Sequence, residues 1–387
     1  MSTTEPDRLA RLYRAGLLDW LACASAGRAD PAARTARVAE GDTPGRVLAA
    51  GAAGHVLDYD DTYLPGLAHL SAPTAPVALL LGAARGASIG EVLEAYAQGF
   101  ENMAAVARAS HPHLYERGWH PTAVCGVVGA ATAAARLGGL DADAEAAAAR
   151  LALLGTGGLR AAFGSPGKSL QVGMAAERGL LAARLAEAGA TVPDGVVGGP
   201  AGFEEVYGGV WATPEGAAPA VCDNWIKAYP CCLQTHSAIE AAVAARQEGA
   251  AAAAGATVTV HPTSRRAAPL DAATTGLEAK FSIPYLVAFT LGRGAPGLGD
   301  FDGVDSEAAT AAGRIAVHTD DTVAESAAIL EIEGRSWAVQ VARGSPQRPL
   351  TEDEVKAKVR SLVGTRLDGA LDDPTNPARS VVEAAGL

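Results

Sequence analysis

From its start to about residue 220 this chain repeats its apolar residues at helical spacing, and little in that span alternates with period two. Such a pattern specifies a helical bundle. The helix ends are also marked. Ser88 with Glu91 forms a capping-box pattern ahead of Val92, Tyr96, Phe100 and Met103. Asp141 can cap DAEAAAARLALLG, which stops at Gly155, and residues 174–188 stop at Gly189. The abundance of alanine predicts helices that cross closely with small side chains between them.

Around residue 255 the texture changes. ATVTVHP, RIAVHTD, AILEIEG and SWAVQVAR alternate like strands, and Glu333-Gly334 between the last two predicts a tight hairpin. Helical patterns interleave at 280–292 and 305–313. Thr351 and Glu354 then form another capping box, opening EDEVKAKVRSLVG. The expected fold is therefore mainly α. A large helical domain spans residues 1–223 and is completed by 345–387, with a smaller α+β lid domain at 224–344.

Composition narrows the function classes. With 387 residues, 49% hydrophobic and 19% charged, the chain is globular. Its formal charge is −12 and it has no basic stripe, which argues against nucleic acid and anionic membranes as partners. Five cysteines include no Cys-x-x-Cys pair, so a zinc ribbon or iron–sulfur cluster is unsupported and reduced thiols are expected. The N-terminal stretch lacks a signal-peptide apolar core, and no apolar run reaches the length of a membrane span. A cytoplasmic protein is the expectation.

Chemistry gathers in DYDDTYLPGLAH, residues 58–69, which holds three carboxylates, a threonine, a tyrosine and a histidine. Three readings are open. The loop lacks the glycine and closing glutamate of an EF-hand, which weighs against a metal site. It could be a capping and turn cluster. Or it could transfer protons, with Asp58 and Thr62 orienting His69 as a carboxylate fixes an imidazole tautomer.

Three further helices are expected to start with proline: Pro121, Pro230 and Pro284. Each lies beside a polar residue able to touch a ligand, namely His120, Lys227 with Tyr229, and Tyr285. If these ends converge, they form an anion pocket on an acidic protein. Lys168 lies between a glycine–proline turn and a helix, as a solvated cation or as a ligand contact. No dinucleotide, Walker or nucleophile-elbow pattern is present.

Taken in order, GHVLDYDDTYLPGLAH, GWHPTAVCGVVGAA, GKSLQVGMAAERGLLAARLAEAG, IKAYPCCLQTHSAIEA and KFSIPYLVAFTLGRG resemble the MmgE/PrpD family. That family includes 2-methylcitrate dehydratase, cis-aconitate decarboxylase and iminodisuccinate epimerase. The resemblance implies a homodimer with no metal or organic cofactor, acting on a small polycarboxylate. It implies catalytic roles for Asp58, Thr62, His69, Lys168, Lys227 and Tyr285, with His120, Lys168 and Lys227 holding substrate. The expected activity is a lyase, first a dehydratase. Decarboxylation, epimerisation or isomerisation beside a carboxylate, and silent binding of a small acid are the alternatives. Two residues depart from the family: His69 lies one position late, and Gln171 stands where a histidine is frequent. The chain is also shorter than typical members, mostly before residue 50.

Overall fold

The computed structural model describes residues 4–214, 216, 218–250 and 255–387; the first three residues of the expected helical domain lie outside it. Seven helices build the larger core: Glu5–Gly27, Thr43–Val56, Ser71–Arg85, Ile89–Ser110, Pro121–Gly138, Ala142–Ala152 and Gly167–Glu187. Ser88–Glu91 is a complete capping box and Asp141 accepts from the Ala144 N–H, as their spacing predicts. The helices cross closely through small residues. A Cβ on Gly129 would come within 2.7 Å of the Gly99 carbonyl, and one on Gly173 within 2.2 Å of Leu48 O. Glycine is therefore required at these two crossings.

The second core is built around a four-stranded sheet in the order β4-β3-β5-β6, with β3 Ala256–Val260, β4 Ile315–Thr319, β5 Ala328–Ile332 and β6 Arg335–Val339. β3 runs parallel to β4 and antiparallel to β5, and β5 and β6 form a hairpin. Glu333 and Gly334 turn that hairpin with φ of 49° and 77°, the left-handed pair a two-residue turn needs. Helices His236–Gln247 and Ile283–Arg293 pack in this core. The protein is thus mainly α, with a smaller α+β part in its C-terminal region.

The chain then returns to the first core. Glu352–Val363, opened by the Thr351–Glu354 capping box, packs on Glu5–Gly27, and Ala378–Ala385 packs on Ser71–Arg85. Val359, Leu367, Leu371 and Val381 are buried there. Among the described residues no helix is long and apolar enough to cross a membrane.

One expected helix start is corrected. Pro230 opens no helix; a 3-10 turn at Leu233–Thr235 leads into a helix beginning at His236. The intervening backbone is held otherwise, since Cys231 O accepts from Lys227 Nζ and the Cys232 N–H donates to Lys280 O. Pro284 sits just inside Ile283–Arg293, whose cap is Ser282.

Candidate active site

The site begins where helix Thr43–Val56 runs out. Beyond its end, carbonyls lack intrahelical partners and carry the negative end of the helix dipole. Three buried ammonium groups take three consecutive carbonyls. Lys280 Nζ donates to Leu57 O at 2.5 Å, Lys227 Nζ to Asp58 O at 3.0 Å, and Lys358 Nζ to Tyr59 O at 2.8 Å. Burial pushes Lys280 down to about 8. Lys358 also lies 2.6 Å from the Asp19 carboxylate and 3.9 Å from the Tyr59 ring centre. Asp58 itself adopts φ 51°, a left-handed turn that aspartate tolerates better than most residues.

That turn aims the Asp58 carboxylate at two lysines. Its Oδ1 is 2.6 Å from Lys168 Nζ and 3.3 Å from Lys227 Nζ. Burial disfavours the charged carboxyl, but the two ammonium groups outweigh it and hold Asp58 well below the ordinary range. The two cations differ in what remains free. Lys227 also donates to Asp58 O and Cys231 O at 3.0 Å each, so it is spent on backbone carbonyls besides its ion pair with Asp58. Among the described residues Asp58 is the acceptor of Lys168, which keeps two N–H groups in hand, between the rings of Phe163 and Phe281 at 5.6 and 5.3 Å. The two lysines expected to hold substrate thus meet on one carboxylate oxygen.

The partner of His69 also needs correction. Asp58 is 4.0 Å from its Nε2, too far for a hydrogen bond. Asp60 orients the ring instead, with Oδ2 3.1 Å from His69 Nδ1 and 2.9 Å from His55 Nδ1. Thr62 Oγ1 lies 3.4 Å from the same His69 nitrogen. A carboxylate facing both Nδ1 atoms places the protons there, which leaves both Nε2 atoms bare. Burial pushes His69 down to about 3, against the pull of Asp60, so it is neutral rather than poised near pH 7. His55 is lowered by burial and by Lys168. Among the described residues, His55, Asp60 and His69 form the one group whose candidate metal-ligand atoms lie within 4.8 Å of one another. The shared hydrogen bonds account for that closeness.

These groups open onto a cavity between the two cores, with an empty volume of about 390 Å³ that includes solvent at its mouth. Asp58, Thr62, His69, His120, Lys168 and Lys227 all line it. The antiparallel pair β1 (Thr62–Tyr63) and β2 (Asn224–Trp225) joins the acidic loop to the segment carrying Lys227. Tyr285 is not brought there. Its ring stacks on Phe289 and its hydroxyl accepts the Asp305 N–H at 3.0 Å, so it serves the second core. Tyr115 is the tyrosine that lines the cavity, its hydroxyl kept protonated by burial. The sequence reading missed it, along with His55, Phe163 and Phe281. His55 alone had a signal, lying three residues before Asp58 at a helix end.

Behind the loop, Asp61 accepts from Ser71 Oγ at 2.8 Å and Asn224 Nδ2 at 2.6 Å. Burial, with Asp19 adding to it, pushes Asp61 up to about 8. A raised folded-state value means that its contribution is complete below the ordinary aspartate range. That contribution fades as pH rises through about 8. Asp61→Asn keeps an acceptor for both donors. The stability of the native protein relative to this variant should therefore fall between about pH 4 and 8, by urea unfolding. A difference that is flat with pH would show Asp61 to be ionised.

The MmgE/PrpD N-terminal domain model matches residues 2–213, and the MmgE/PrpD C-terminal domain model matches residues 229–375. No curated protein is similar enough to count as a match. With both domain models matched in order over nearly the whole sequence, the chain belongs to the MmgE/PrpD family.

Proposed function

We propose that the protein is a cofactor-independent lyase that dehydrates a small hydroxy di- or tricarboxylate. The family is generally one of lyases. The observation that carries the reading is Lys168, a buried cation with donors to spare, beside the bare Nε2 of His69 in one cavity. A substrate carboxylate on Lys168 has its developing negative charge stabilised as the neighbouring carbon loses a proton. His69 Nε2 takes that proton. The imidazolium, held by Asp60, returns it to the departing hydroxyl as the C–O bond breaks, and the products are an alkene acid and water. Expulsion of CO2 from the same carbon skeleton would draw on the same cation, so decarboxylation is the competing outcome.

A panel of di- and tricarboxylates followed by proton NMR in deuterated water tests the proposal. Alkene formation without CO2 is expected for a hydroxy acid. CO2 release would move the assignment to decarboxylation, and exchange without net reaction would move it to epimerisation. Binding with neither turnover nor exchange would make the protein a small-acid binder. Treatment with a chelator should leave turnover unchanged. Complete loss restored by a divalent ion would overturn cofactor independence.

A further inference from the structure

Gln171 occupies the position where the family resemblance calls for a histidine, and its side-chain amide has only one possible orientation. Its Oε1 lies 2.9 Å from the Leu159 N–H, and its Nε2 lies 3.2 Å from Leu159 O. A backbone N–H can only donate and a carbonyl can only accept, so the two ends of the amide cannot be exchanged. Leu159 is itself fixed, because residues 118–120 pair antiparallel with 158–160. The second hydrogen of Gln171 Nε2 then points at His120 Nδ1, 2.7 Å away.

An amide hydrogen needs a lone pair opposite it. His120 Nδ1 is therefore unprotonated, and the imidazole proton sits on Nε2. The ring plane is held by Phe163 at 4.9 Å, edge to face, and by His55 at 5.8 Å, stacked. Protonating Nδ1 would oppose two N–H groups. Flipping the amide to relieve them would set oxygen against Leu159 O and nitrogen against the Leu159 N–H. Burial disfavours an imidazolium here too; among the titratable groups around it, His55, Lys168 and His69 add to this and Asp58 opposes it.

We propose that Gln171 is a positioning residue that locks His120 as the Nε2–H tautomer, reserving it as a permanent hydrogen-bond donor to the substrate and barring it from carrying protons. The cavity then holds two neutral histidines of opposite character. His69 presents a bare nitrogen and His120 presents an N–H, each fixed by a different neighbour. The tautomer follows from the hydrogen bonds alone, whereas its use in turnover rests on the lyase reading.

Nitrogen-15 NMR of histidine-labelled protein tests the lock directly, with His120 assigned by comparison with His120→Gln. The expected spectrum shows Nε2 protonated and Nδ1 bare, unchanged from pH 5 to 8. A protonated Nδ1, or titration within that range, would overturn the proposal whether or not the enzyme turns over any acid tried. Gln171→Glu supplies an acceptor instead of a donor. It should move the proton to Nδ1, strip the cavity of this donor and raise KM at least about tenfold, the cost of one hydrogen bond to a charged group. Gln171→Met, which neither donates nor accepts, should give mixed tautomers and an intermediate KM with the fold kept. If the wild-type spectrum is as expected but both variants keep wild-type KM and pH profile, the lock has no part in substrate binding and that half of the proposal falls.

Discussion

Lys168→Met is expected to lower turnover by about 10²–10³-fold, the cost of removing one preorganised electrostatic donor, and to leave the protein folded. The two lysines on Asp58 are not equivalent, and this variant separates them. Without Lys168, the Asp58 carboxylate still has Lys227 at 3.3 Å, so no buried charge is left alone. The cavity loses the lysine that, among the described residues, keeps N–H groups unused. Because that interaction strengthens as charge develops, kcat should fall far more than KM rises. Lys227→Met should behave differently. It strips the ammonium from Asp58 O and Cys231 O as well as from the carboxylate, and breaking a buried pair costs about 3–5 kcal/mol. A large fall in Tm is expected for Lys227→Met and a small one for Lys168→Met. Full activity in Lys168→Met would remove that lysine from the chemistry and with it the main support for the lyase proposal.

His69→Gln is expected to cost at least about a hundredfold in turnover, the low end for general acid–base catalysis, and to abolish deuterium exchange at the substrate carbon. A pKa of about 3 keeps His69 an acceptor at any working pH, so the acid limb of the rate profile should not fall near 6.5. It also makes the ring a weak base, and the imidazolium formed during the reaction depends on Asp60 for its counter-charge. Asp60→Asn, which keeps the shape and deletes the charge, should therefore lose turnover as well, with KM less affected. His120→Gln removes a donor and not a base. Exchange should persist in it at saturating substrate while binding weakens. Exchange at the native rate in His69→Gln, with none in His120→Gln, would reverse the two roles.

The sequence announced the crowding of residues 58–69 but not its pairing. Spacing along a loop shows which groups are near one another, and a side chain's partner depends on backbone turns such as the left-handed Asp58. That turn carries Asp58 toward lysines from distant segments and leaves Asp60 to face both histidines. Helix periodicity and capping boxes were legible because they are local: Ser88–Glu91, Asp141 and Thr351–Glu354 each close within one turn. Pro230 misled because a proline permits a helix start without requiring one, and here the Lys227 side chain takes Cys231 O and the Lys280 carbonyl takes the Cys232 N–H. Tyr285 follows Phe281, which does line the cavity, by four residues, but the extended Ser282 and the helix start lie between them and the Tyr285 hydroxyl meets Asp305 in the second core. Gln171 could be read only as an interruption, since its meaning depends on Leu159 and His120 being opposite it.

The three carbonyls at residues 57–59 also bear on the order in which the protein can be made. Their lysines, 227, 280 and 358, leave the ribosome some 170 to 300 residues after the loop they hold. Most of the helical core can assemble on the emerging chain, because domains generally fold as units from the N-terminal end. The loop at its centre cannot settle fully with it, since the carbonyls of residues 57–59 would have no cations and the Asp58 carboxylate would have Lys168 alone. A chain made only as far as the helical core therefore has much of its scaffold and an unfinished cavity loop. The loop has all three of its cations only once Lys358 reaches Tyr59.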